Sequence, residues 1–146
     1  MDWRLVSKSP LFWRIFDMSE IIGTFELEHV SNTYTADDDG NVTNHSNWRG
    51  TAENYGSIFG TLTFGPIALG DMDEKLEGGE VRWTGQGFLE DGTAVAGVGK
   101  GTWKKDPQGH VWHTDVITEL NDGTKVRGKG VLELATLKFT GTNYSI

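Results

Sequence analysis

The chain of 146 residues contains no cysteine. That excludes a disulfide framework and any thiolate metal site. No apolar run approaches the ~20 residues that a membrane-spanning helix needs. Basic residues are outnumbered, with 13 Lys and Arg against 21 Asp and Glu, for a net charge of −8. Gripping phosphates without regard to sequence takes clustered Lys and Arg, and none are clustered here. Nucleic acid and anionic membrane surfaces are therefore not expected as partners. The four histidines, His29, His45, His110 and His113, show no zinc-site spacing, and no metal is expected. A nucleophile elbow, a phosphate loop and a dinucleotide fingerprint are also missing, so no cofactor is expected.

Residues 1–20 carry many large apolar side chains, among them Trp3, Leu11, Phe12, Trp13 and Phe16. They lack the longer uninterrupted apolar core and the small-residue cleavage site of a secretory signal. A cytoplasmic location is expected, and the sequons at Asn41, Asn44 and Asn143 then have no bearing. Ser9-Pro10 has the N-cap and first-turn residues of a short helix. Met18-Ser-Glu is an alternative start that would leave residues 1–17 outside the natural protein. The domain organisation expected is an N-terminal arm over 1–20 and one folded domain over 21–146.

What the chain does have is glycine. Twenty residues are Gly and only three are Pro, with β-branched and aromatic residues between them. Glycine at about twice its ordinary ~7% usage reads as turns, bulges and curved strands. Asp39-Gly40, Asp91-Gly92 and Asp122-Gly123 each separate alternating segments, the strongest short-range hairpin signal. The text around the last two nearly repeats: Leu89-Glu-Asp-Gly-Thr-Ala-Val-Ala-Gly-Val-Gly against Leu120-Asn-Asp-Gly-Thr-Lys-Val-Arg-Gly-Lys-Gly. The pattern predicts strands over 21–31, 43–53, 57–65, 79–89, 93–104, 110–120, 124–134 and 136–144. Residues 66–78 form one long acidic loop. The fold expected is all-β, a single antiparallel meander barrel of about eight strands. Such a barrel has an interior just wide enough for side chains or one small ligand.

Parity sorts the side chains. A three-residue loop at Glu90-Asp91-Gly92 pairs Gly87 with Val95, Gly85 with Gly97 and Trp83 with Gly99. The same register on the second copy puts Trp112, Thr114, Val116, Thr118 and Leu120 on one face with Val126, Gly128, Gly130 and Leu132. Its other face sets Glu119 against Lys125 and Asp115 against Lys129, as a solvated face would. In the first hairpin a four-residue loop from Asp37 to Gly40 brings Phe25, Leu27 and His29 together with Trp48, Gly50 and Ala52. Ile58, Leu62 and Phe64 join the inside from the third strand. A parity change near Ala135-Thr136 turns Leu137 and Phe139 inward.

These assignments limit the chemistry. His113, Asp115 and Glu119 share a face, but it is the outer one, which argues against acid–base catalysis there. His29 is the candidate catalytic residue, as a base or ligand anchor beside Trp48; the alternative is a rim histidine satisfied by Ser46, Asn44 or water. Trp48, Phe64, Trp83, Trp112 and Thr114 are candidate ligand-binding residues. The inward rings form either an ordinary filled core or the walls of a pocket. Phe59 and Phe88 face outward on neighbouring strands, and with the apolar arm they make a patch that a homodimer would cover.

In length, hairpin meander, glycine usage and aromatic interior, residues 20–146 resemble calycin-like barrels, and among them the small bacterial barrels related to allene oxide cyclase. No motif residue is matched. The resemblance implies a small-molecule barrel that holds a mostly apolar or aromatic ligand. It implies either a cofactor-free cyclisation or isomerisation, or binding and carriage alone. A filled barrel with a role in assembly is the third reading.

Overall fold

The structure, a computed structural model, describes residues 20–146. Residues 1–19 lie outside it, and with them the expected helix at Ser9-Pro10 and nearly all of the expected arm. Eight strands run in chain order: β1 (Ile21–Ala36), β2 (Asn41–Ala52), β3 (Gly56–Ala68), β4 (Gly78–Phe88), β5 (Ala94–Lys105), β6 (Val111–Leu120), β7 (Lys125–Glu133) and β8 (Lys138–Ser145). Each pairs antiparallel with the next, and β8 pairs with β1, so the sheet is a closed meander barrel. Among the described residues no helix is long and apolar enough to cross a membrane. The predicted acidic loop is shorter than 66–78, because β3 runs on to Ala68 and a 3-10 turn follows at Leu69–Asp71.

The three Asp-Gly turns share one geometry. In each, the glycine has positive φ (81° at Gly40, 92° at Gly92, 90° at Gly123) and donates its N–H to the carbonyl three residues back. Glycine enters that left-handed region without steric cost, which is why it ends the loop. At Asp91 and Asp122 the carboxylate accepts the N–H and hydroxyl of the threonine two residues on, at 2.6 to 2.9 Å. These bonds stiffen the two related hairpins from within the turn.

The first hairpin corrects the sequence reading. Its loop is three residues, not four, since the Asp37 N–H bonds the Asn41 carbonyl at 3.0 Å. A bulge between His29 and Ser31 then shifts the register by one. Beyond the bulge the expected pairs appear: His29 with Trp48, Leu27 with Gly50, Phe25 with Ala52. An unforeseen bulge thus does what the longer loop was meant to do. Residues 32–36, beyond the expected strand 21–31, continue β1 past its last partner on β8 and make a ribbon with β2.

The inner face follows the predicted parity. Leu62 and Val81 are 1% exposed, and Leu27, Trp48, Trp103, Val116, Leu132 and Phe139 complete one core cluster. The exception is Leu137, which is exposed and has φ of 57° in the β7–β8 turn; only Phe139 points inward there. The outer face carries the charges. Arg49 pairs with Glu28 at 3.0 Å, Lys138 pairs with Glu26, and Arg127 makes two bonds to Asp115. Asp115 stands opposite Lys129 as predicted, yet its carboxylate takes Arg127 diagonally, because a guanidinium fork fits both oxygens.

Two measurements follow. Asp115→Asn and Glu119→Gln should each change unfolding free energy by no more than about 1 kcal/mol in urea titrations, the range for exposed pairs; a larger loss would show that the outer wall contributes more than solvated pairs do.

The turn carboxyls of Asp91 and Asp122 are held below the usual range, chiefly by the Thr93 and Thr124 side-chain bonds and then by the backbone bonds. A folded pKa below the unfolded one stabilises fully above the unfolded value and loses that stabilisation as pH falls through the folded one. The urea midpoint should therefore fall on acidification below about pH 4. The double variant Asp91→Asn, Asp122→Asn should flatten part of that fall. An unchanged acid limb would show that the two turns contribute nothing to it.

Candidate functional site

The barrel interior is unequal along its axis. At the end with the β1–β2, β3–β4, β5–β6 and β7–β8 connections it is filled. Trp48 packs edge-on against Phe139 at 5.7 Å, and Phe64 against Trp103 at 6.2 Å. The indole N–H groups of Trp48 and Trp103 are buried with no hydrogen-bond partner among the described residues. Each such donor costs roughly 1–3 kcal/mol of desolvation, so these rings are placed for bulk rather than for their polar edge.

Toward the other end the interior is hollow. A cavity of about 120 Å³ opens between the β2–β3, β4–β5 and β6–β7 turns. Its wall is mostly apolar, from Phe25, Ile58, Leu62, Trp83, Val116 and Val126. The Trp83 ring forms the partition between the two halves. It lies across Gly60 and Gly85, so close that a Cβ at either position would collide with it, at 2.6 Å in the case of Gly85. Gly99, its register partner, is instead crowded by the Ile117 carbonyl and the Thr118 hydroxyl. Gly128 differs from these: a Cβ there would meet only the Asn143 Oδ1, at 3.0 Å.

Polar side chains that face the cavity are few and neutral. They are Tyr55, Thr114, Thr118 and Asn143; Gln86 borders it from β4, but its side chain is on the exposed outer face. The buried Thr114 hydroxyl donates to the Gly130 carbonyl at 3.3 Å, which leaves its oxygen free to accept. Burial pushes the Tyr55 hydroxyl pKa up, and the negative charge of Asp122 adds to this, so Tyr55 stays protonated. None of the lining residues is Asp, Glu, Lys, Arg or His. Among the described residues no group of His, Asp and Glu is arranged to hold a metal ion.

The residues singled out from sequence divide between the halves. Trp83 and Thr114 line the cavity. Trp48 and Phe64 belong to the filled half, and Trp112 stacks on His110 near the β5–β6 connection, at 6.0 Å between centroids. His29 sits half-buried beside the bulge, its ring edge-on to Trp48 at 5.2 Å and its Nε2 2.8 Å from the Asn32 Oδ1. It is not in the cavity wall. Asn143 was missed, although it alternates with Phe139 and Gly141 along β8 and so shares their inward parity. Tyr55 was also missed; it stands in a turn, where no periodicity marks it.

The fold and the cavity together define a class: a closed eight-stranded antiparallel meander barrel with an uncharged, largely apolar cavity open at one end. The chain matches no protein-family model, no curated protein and no solved structure.

The cavity can be tested by filling it. Gly128→Val should leave stability within about 1 kcal/mol of the parent in thermal or urea unfolding, since the strand gains a β-branched residue and the one atom in its way, the Asn143 Oδ1 at 3.0 Å, is the end of a side chain that can turn aside. If the interior were full at that point, overpacking would cost about 1–3 kcal/mol.

Proposed function

We propose that this barrel binds one small, neutral, mostly apolar or aromatic molecule in the cavity beside Trp83. The observation that carries the reading is the lining: apolar walls, a few uncharged hydrogen-bonding groups and no ionised side chain. An apolar cavity of roughly 150 Å³ takes a benzene-sized molecule. One of about 120 Å³ that opens at its mouth suits a ligand of that order with a tail toward solvent. A bare charge on the ligand would find no counterion in the wall and would lose its hydration. Thr114, Thr118 or Asn143 would orient a single hydroxyl or carbonyl.

Holding such a molecule is favoured over turning it over by proton transfer. A general base has to reach the proton it removes. His29, the residue nominated from sequence, stands outside the wall and is engaged with Asn32. A cofactor-free cyclisation or isomerisation, as the likeness to calycin and allene oxide cyclase barrels would have it, would rest on shape and exclusion of water. A cytoplasmic carrier or sequestering protein is the simpler reading.

Titration with small neutral aromatics such as indole or toluene tests this. Binding should raise the unfolding temperature in a concentration-dependent way, as a ligand that binds only the folded state must. It should also change Trp83 fluorescence, and Gly128→Val should abolish both effects while the protein stays folded. Benzoate should bind much more weakly than toluene. No shift with any neutral probe would remove the proposal, and chemical conversion of a bound ligand would favour the isomerase reading over the carrier.

A further inference from the structure

The outer wall is not uniformly charged. Its ion pairs involve β1, β2, β6, β7 and β8, through Glu28–Arg49, Glu26–Lys138 and Asp115–Arg127. Across β3, β4 and β5 lies a strip with no charge at all. Phe59, Phe88 and Val98 are 54%, 44% and 65% exposed, and Thr84, Gln86 and Ala96 lie between them. The Phe59 and Phe88 rings meet edge-to-face at 6.1 Å, in solvent. At one end of the strip Arg82 and Lys100 stand directly opposite each other on β4 and β5. Like charges in that position repel. Among the described residues neither has a carboxylate within 4.0 Å, and Glu90 at the other end has no cation.

The register makes these features self-complementary. Phe59, Gln86 and Ala96 are cross-strand partners in one row. Along β4, Arg82 lies four residues to one side of Gln86 and Glu90 four to the other. A two-fold axis lying between two such sheets, and running along this row, turns each strand antiparallel over its own copy. Phe59 then meets Phe59, Phe88 meets Thr84, and Val98 meets Ala94. Glu90 of the second copy comes to the Arg82 and Lys100 pair, which supplies the missing countercharge. Copies that each carry −8 repel in general. A face without charge, closed at both ends by opposite charges, is where they can approach.

We propose that β3, β4 and β5 form a two-fold interface with a second copy of this chain, centred on Phe59 and Gln86 and flanked by Arg82 and Lys100 against Glu90. An isologous contact of this kind closes at two subunits. The sheets pack face to face with strands nearly aligned, about 10 Å apart. Gln86 and Ala96 border the cavity from the other side of the sheet, while its mouth lies at the end of the barrel.

Light scattering coupled to gel filtration, with sedimentation equilibrium for the dissociation constant, tests it on the full chain. The parent should be a dimer. Phe59→Ser should shift it to monomer without loss of strand signal in circular dichroism. Glu90→Arg should weaken association at least about tenfold, because it brings like charges together at the interface. Arg82→Glu with Lys100→Glu should do the same, and all three changes together should restore the dimer. A parent that stays monomeric at its solubility limit, a trimer or larger ring, or a dimer indifferent to the charge series would each overturn the proposal. If Phe59→Ser fails to fold, the charge series decides alone.

Discussion

A large ring laid across a glycine is the contact on which the interior depends. An eight-stranded barrel is only just wide enough for its own side chains. A ring that points inward therefore needs a gap beside it, on its own or a nearby strand, and glycine is the residue that provides it. Trp83 takes the room above Gly60 and Gly85, and Phe139 and Phe25 take the room above Gly130. Where rings and glycines match, the interior closes into the Trp48, Trp103, Phe139 cluster. Where glycine faces smaller side chains, as at Gly128, space is left over.

This exchange explains why one set of residues yields both a core and a cavity. The closed half buries the Trp48 and Trp103 rings, and that burial is hydrophobic stabilisation. It tolerates two indole N–H groups without partners because the packing there outweighs their loss. The hollow half is framed by the turns of Asp91 and Asp122, each braced by its threonine. Its neutrality has a plain cause. Apart from Lys105, which shares the parity of Trp103 at the far end of β5, the charged residues of β4 to β7 fall on the outward parity, so the pleat itself keeps ionised groups out of the cavity.

Much of this was legible in the sequence. Alternation and the Asp-Gly turns gave the strand count, the meander and the register of β4 with β5 and of β6 with β7. Parity separated Thr114 from Asp115 and placed His113 and Glu119 outside. Two things could not be read. The bulge at Val30 leaves no compositional mark, since β-branched residues suit a regular strand equally well. The position of a residue along the barrel axis depends on shear, and parity carries no information about it. That is why Trp83 and Trp112, both inward, were grouped although one borders the cavity and the other stacks on His110. His29 was grouped with them for the same reason.

The division of the interior into a filled half and a hollow half has a consequence for how such a barrel changes over evolutionary time. Leu27, Leu62, Val116 and Phe139 serve both the core cluster and the cavity wall, but Val95, Thr118 and Gly128 line the cavity outside that cluster. Drift at Val95, Thr118 or Gly128 reshapes the recess without touching the Trp48, Trp103 and Phe139 rings that hold the strands together. Selectivity can then be retuned by single substitutions at little risk to folding, an arrangement in which new specificities are reached before stability becomes limiting.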